Sequence, residues 1–159
     1  MEEQATKSDY MTLNKQTLID YMKSKNLQVV YTDYDGSGDE GCVNGVYVQE
    51  VEVNEKSKEV TKHQKDLDPS DRVEVWRISG RFQTNEDGTH SWTTKAQKEQ
   101  VAVTDAFRDF SSDFLELEGI DWYNNEGGYG EVYFYANENR VVLEHNTRIM
   151  DTEYHESEI

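Results

Sequence analysis

Val103, Phe107, Phe110, Phe114 and Leu117 recur at three- and four-residue steps, the strongest periodic pattern in the chain. That spacing lines one face of an α-helix with large apolar side chains. Such a stripe needs an apolar surface to pack on. The rest of the chain indicates which surface. The segments LQVVYTDY, GVYVQEVEV, RVEVWRISGRF, THSWTT, EVYFYA and RVVLEHN are short and rich in β-branched and aromatic residues. They read as strands. In GVYVQEVEV, Tyr47, Val51 and Val53 alternate with Val46 and Val48. Asp87-Gly88 is a hairpin turn signal, and Asn137 to Asn139 separates another strand pair. Strands joined by hairpins, without strand–helix alternation, predict an α+β fold: an antiparallel β-sheet with two helices packed on one face.

The boundaries follow from capping and breaker residues. Leu13, Leu18, Tyr21 and Met22 share a broad face and predict a first helix over about 12–25. Thr94 and Gln97 resemble a capping box that opens the second helix, expected from Lys95 to Glu118 and stopped by Gly119. Asn54 to Asp71 is charged, holds the sole proline, Pro69, and reads as a long surface loop. The expected organisation is a flexible N-terminus over 1–11, a single α+β domain over 12–150, and an acidic tail over 151–159.

Charge narrows the choice of partners. The chain of 159 residues has a net charge of -17, and residues 99–159 alone carry 15 acids against 3 bases. Such a field repels nucleic acid and anionic membrane and favours basic proteins. No apolar run is long enough to span a bilayer, and the polar, acidic N-terminus lacks the features of a secretory signal. With Cys42 as the only cysteine, no internal disulfide can form, which fits the cytosol. The expected location is the cytoplasm of a bacterial host cell.

Two glycine-rich stretches stand out. In DYDGSGDEG, Asp33, Asp35, Ser37 and Gly38 open like a calcium loop, but its twelfth position is Asn44 rather than the bidentate Glu that calcium needs. A wide hairpin loop, with exposed acids keeping a sheet edge soluble, is the simpler reading. DWYNNEGGYG repeats the chemistry of acids, amides, glycines and aromatics. The four histidines lack zinc-ligand spacing, Cys42 has no base nearby in sequence, and no nucleotide or hydrolase fingerprint is present. The expectation is no metal and no cofactor. If the two stretches meet, Asp35, Asp39, Asn124, Asn125, Glu126 and His145 could form a polar cleft. A small metal-dependent hydrolase is therefore the alternative to a binding protein.

Taken in order, Tyr34 to Gly41, then Trp122, Asn124, Asn125, Gly127 and Gly130, then Glu144 to Asn146, these motifs resemble those of DUF6878. That is an uncharacterised bacterial and phage family of small acidic proteins. The resemblance covers both ends of the chain, so that 54–95 reads as an insertion with its own hairpin. It implies a fold shape and an origin in bacteria or mobile elements, and no reaction.

The second helix supplies the leading functional expectation. Asp105, Asp109, Asp113 and Glu116 form one stripe with only Arg108 beside it, away from the phenylalanines. Such a row can compete with phosphates for a basic groove. The expectation is an acidic, non-enzymatic inhibitor, of phage or mobile-element origin, that occupies the basic surface of a nucleic-acid-binding defence protein. Anti-CRISPR and anti-restriction proteins are of this type. Trp122, Tyr123 and Tyr129 are further partner-binding candidates, because aromatic residues are the usual anchors of interfaces.

Overall fold

The structure, a computed structural model, describes residues 6–38, 40–123 and 127–149. Its elements in chain order are α1 (Lys7–Ser24), β1 (Val29–Ser37), β2 (Glu40–Val53), β3 (Val60–Asp66), β4 (Arg72–Thr84), β5 (His90–Ala102), α2 (Val103–Leu117), β6 (Gly128–Tyr135) and β7 (Arg140–Thr147). Five strands form one antiparallel sheet in the order β3-β2-β1-β6-β7, and β4 and β5 form a separate two-stranded sheet. The α+β class holds.

The core lies between α2 and one face of the five-stranded sheet. Val30, Thr32 and Tyr34 of β1 and Val132 and Phe134 of β6 point inward and are buried, each alternating with an outward neighbour. Phe107 of α2 meets Phe134 edge-on at 4.8 Å, and Phe110 meets it at 5.5 Å. Phe110 is buried, as the apolar stripe requires. Leu115, Ala106 and Ser111 complete the buried face, whereas Leu117 is half exposed.

One polar pair is sealed inside this core. The hydroxyls of Thr32 and Ser111 lie 2.7 Å apart, and Ser111 also donates to the Phe107 carbonyl. With that donor committed, the Thr32 hydroxyl donates to Ser111. Ser111→Ala should cost about 1–3 kcal/mol by stranding the Thr32 donor. The double variant with Thr32→Val should cost clearly less than the two single variants summed, because no buried donor then remains. Strict additivity in urea unfolding would show that the pair is not coupled.

Several sequence expectations are corrected. The chain is ordered into helix from Lys7, because Thr6 and Asp9 form a capping box that satisfies the first turn. The expected flexible segment 1–11 is therefore helical over its last five residues; residues 1–5 lie outside the described set. Leu13 is exposed, and Met11, Leu18, Ile19 and Met22 form the buried face of α1 instead. The stretch 54–71 is not a loop throughout, for Val60–Asp66 is an edge strand paired to β2.

The largest shift concerns the start of α2. Residues 95–102 belong to β5, in unbroken register with β4 from His90 to Ala102. A continuous ladder outweighs the weak local preference of a Thr94–Gln97 cap, and the helix starts only where the Val103 amide donates to the Asp71 carbonyl. Its end is as expected: Gly119, at φ +67, closes a Schellman turn with Ile120 donating to Leu115. The first glycine-rich stretch is no wide loop. Strand pairing continues to Ser37↔Glu40, and β1 is the central strand rather than an edge.

Candidate interaction surfaces

The two glycine-rich motifs meet, and a ring joins them. Gly36 pairs with Gly41 on β2 and with Gly128 on β6, and Trp122 lies over that patch. A methyl group on Gly36 would come 2.5 Å from the Trp122 carbonyl, and one on Gly41 would come 2.6 Å from its ring. The bare backbone is the seat of the indole, which also meets Tyr34 edge-on at 5.3 Å. Gly130 leaves room beside the Tyr34 hydroxyl, which lies 2.6 Å from Nδ1 of His145. Burial, reinforced by Glu131, raises the Tyr34 phenol far above its ordinary range, so the hydroxyl stays protonated and donates to Nδ1. The proton of the imidazole is then on Nε2, which donates to Thr147 Oγ1 at 3.1 Å. Burial also lowers the pKa of His145. These contacts make a packed aromatic cluster.

The candidate catalytic residues are not drawn together. Tyr34 and His145 are on the helix-covered face of the sheet. Asp35, the next residue of β1, is on the other, where Arg148 binds it at 2.7 Å. Asp39, Asn124, Asn125 and Glu126 lie outside the described residues, as does the tail 151–159.

The acids of α2 have more partners than the sequence showed. Arg77 of β4 binds Asp109 at 2.6 Å, and Lys7 of α1 binds Glu116 at 2.7 Å and Asp113 at 3.5 Å. Asp105 pairs with Arg108. Asp109 and Asp113 line a cleft of about 860 Å³ that α1, α2 and β4 share with Tyr10 and Trp76. Burial outweighs the cations there and raises the pKa of both carboxyls. Three bases thus answer the four acids of the stripe. Among the aromatic candidates, Tyr123 and Tyr129 are 42% and 45% exposed, whereas Trp122 is committed to the glycine seat.

The sheet's other face is the surface that sequence reading missed. Helix α2 packs on the opposite side, with α1 lying against α2 and β4, and among the described residues the outward ones here are half-buried or exposed. Strand register arranges them in rows. Asp66, Tyr47, Tyr31, Tyr133 and Val142 lie side by side across all five strands. The Tyr31 ring is 5.3 Å from Tyr47 and 5.1 Å from Tyr133, near-parallel to the latter, and Tyr133 stacks on Tyr135 at 6.1 Å. The next row is Asp33, Glu131 and Glu144. Burial, then Glu144 and Asp33, raise the pKa of Glu131, and burial, then Glu131, Glu144 and neighbouring phenols, push Tyr133 up to about 12. Like charges directly opposite in a sheet are destabilising. The signal was present in the sequence as period-two alternation: Tyr31, Asp33, Asp35 on one strand and Tyr129, Glu131, Tyr133, Tyr135 on the other.

Fold and charge together define a small acidic α+β protein with one helix-covered and one open sheet face. The chain belongs to DUF6878, a family of unknown function whose model matches residues 10–159, a range that includes 54–95. No curated protein and no solved structure matches the chain. No helix among the described residues is long and apolar enough to cross a membrane.

Proposed function

We propose that the chain is a non-enzymatic interaction protein of phage or mobile-element origin that works in the bacterial cytoplasm. It occupies the basic surface of a nucleic-acid-binding defence protein, in the manner of an anti-CRISPR or anti-restriction inhibitor. The observation that carries this reading is the row Asp33, Glu131 and Glu144, three neighbouring carboxylates on an open sheet face with no cation in the row. Asp33 accepts a hydrogen bond from the Gly45 amide at 2.8 Å, which leaves the repulsion among the three carboxylates to be relieved by a basic partner. The stripe on α2 is the weaker surface, because Lys7, Arg77 and Arg108 already answer it. The hydrolase reading gains no support from Asp35 and His145, which face opposite sides of the sheet.

Purified nucleic-acid-binding defence effectors, titrated with the protein in rising salt, test the proposal. At least one should bind, with affinity falling as salt rises and with nucleic acid competing. Glu131→Lys with Glu144→Lys should weaken that complex about tenfold or more through like-charge contact with the partner. Asp109→Lys with Asp113→Lys should have a smaller effect. A complex that loads nucleic acid alongside the protein, or that ignores the Glu131 and Glu144 changes, would remove the reading.

A further inference from the structure

We infer that the open sheet face is a receptor for an arginine-rich segment, with guanidinium groups stacked on the row Tyr47, Tyr31 and Tyr133 and hydrogen-bonded to Asp33, Glu131 and Glu144. This deepens the proposed function, on which it rests, by naming the chemistry of the partner.

The face already binds one guanidinium this way. Arg148 lies over the ring of Tyr129, its Cζ 5.0 Å from the centroid, while its Nη2 donates to Asp35 at 2.7 Å and its Nη1 to the Gly36 carbonyl at 2.9 Å. Tyr129 and Asp35 are a directly opposed cross-strand pair. Further along the same two strands come an acid pair, Asp33 opposite Glu131, and then a tyrosine pair, Tyr31 opposite Tyr133, so rings and carboxylates are again neighbours on this face. A planar guanidinium can lie flat on a ring face while meeting a carboxylate with two parallel donors, whereas an ammonium, although it too is drawn to ring faces as Lys98 is to Trp76, is a compact, strongly hydrated point charge without that flat fork. Alternating tyrosine and acid rows therefore favour arginine over lysine.

Other occupants fit worse. A second copy would set the same carboxylate rows against each other. The chain's own residues 151–159 carry four acids and no arginine or lysine. Nucleic acid brings phosphates to a row of carboxylates. Among the described residues, the other cations on this face are Lys62 on β3 and Arg140 on β7, the latter paired with Glu138, so both flank the tyrosine row at its outer strands. Arg108 reaches round the β2 edge to the Asn44 carbonyl.

The test uses two octapeptides of equal charge, octa-arginine and octa-lysine, titrated into the full chain by calorimetry and followed by NMR. The arginine peptide should bind about tenfold tighter, moving resonances of Tyr31, Tyr47 and Tyr133. Tyr31→Leu with Tyr133→Leu should erase the preference, while Tyr31→Phe with Tyr133→Phe, which retains the ring faces, should keep most of it. Glu131→Gln with Glu144→Gln should weaken both peptides. Equal binding of the two peptides, or shifts confined to α2, overturns the arginine receptor while leaving a charge-driven binding protein. Failure of both peptides to bind overturns the proposed function as well.

Discussion

Gly127→Ala should be among the most damaging single substitutions in this chain, costing about 3 kcal/mol or more. Two penalties fall on one atom. Gly127 has φ +73, where an L side chain is strained by about 1–2 kcal/mol. An added Cβ would also lie 1.7 Å from the Gly36 carbonyl oxygen. That oxygen is backbone of the central strand and accepts from Arg148, so it cannot swing aside as a side chain would. The Gly127 carbonyl is also tied, accepting from the Arg148 amide. Relief would require β1 and β6 to part where Trp122 is seated. Gly88→Ala is the control, with φ +84 and no atom within 4 Å of the added methyl. It should cost only the backbone strain. Thermal or urea unfolding that placed the two variants within a few tenths of a kcal/mol of each other would contradict the close approach of the motifs.

Phe134→Ala should cost about 3–5 kcal/mol. Phe134 is fully buried at the point where β6 meets α2, with Phe107 and Phe110 both edge-on to its ring. Truncation removes the transfer free energy and two aromatic contacts, and leaves a void that the flanking strands cannot close. Against a total stability of about 5–15 kcal/mol for a typical domain, this would leave the protein marginal. Phe82→Ala is the comparison: Phe82 is 61% exposed on β4, and the change should stay within about 0.5 kcal/mol. A small effect at Phe134 in denaturant titration would mean that α2 does not pack on the sheet as described.

The elements most legible in the sequence were those whose signals are local. The β6–β7 pair announced itself by apolar strands around Asn137 to Asn139, and the β4–β5 turn by Asp87-Gly88. The helical stripe through Phe107 and Phe110 was real, since periodicity and burial there agree. Where local signals were weak, pairing overruled them. Lys95 to Ala102 has no strong preference, and thirteen residues of β4 drew it into a strand. The edge strand β3 is exposed throughout, so it carries no alternation of burial to reveal it.

The sequence by itself determined the class, the β1–β2, β4–β5 and β6–β7 hairpins, the family and the sign of the charge, because these depend on residue type and on near neighbours along the chain. Tertiary structure alone decided which residues share a surface. Tyr31, Tyr47 and Tyr133 form one row only because β1 lies between β2 and β6 in a particular register. A slip by one residue would turn each of them to the other face. Lys7 and Arg77 neutralise acids of α2 from 106 and 32 residues away or more, a compensation that a helical-wheel reading of α2 cannot contain. The glycines of the two motifs look like turn formers, yet Gly36 and Gly41 serve as space for a tryptophan some eighty residues later in the chain. Burial, register and long-range ion pairing are properties of the packed chain, and they moved the candidate site from the helix to the open face of the sheet.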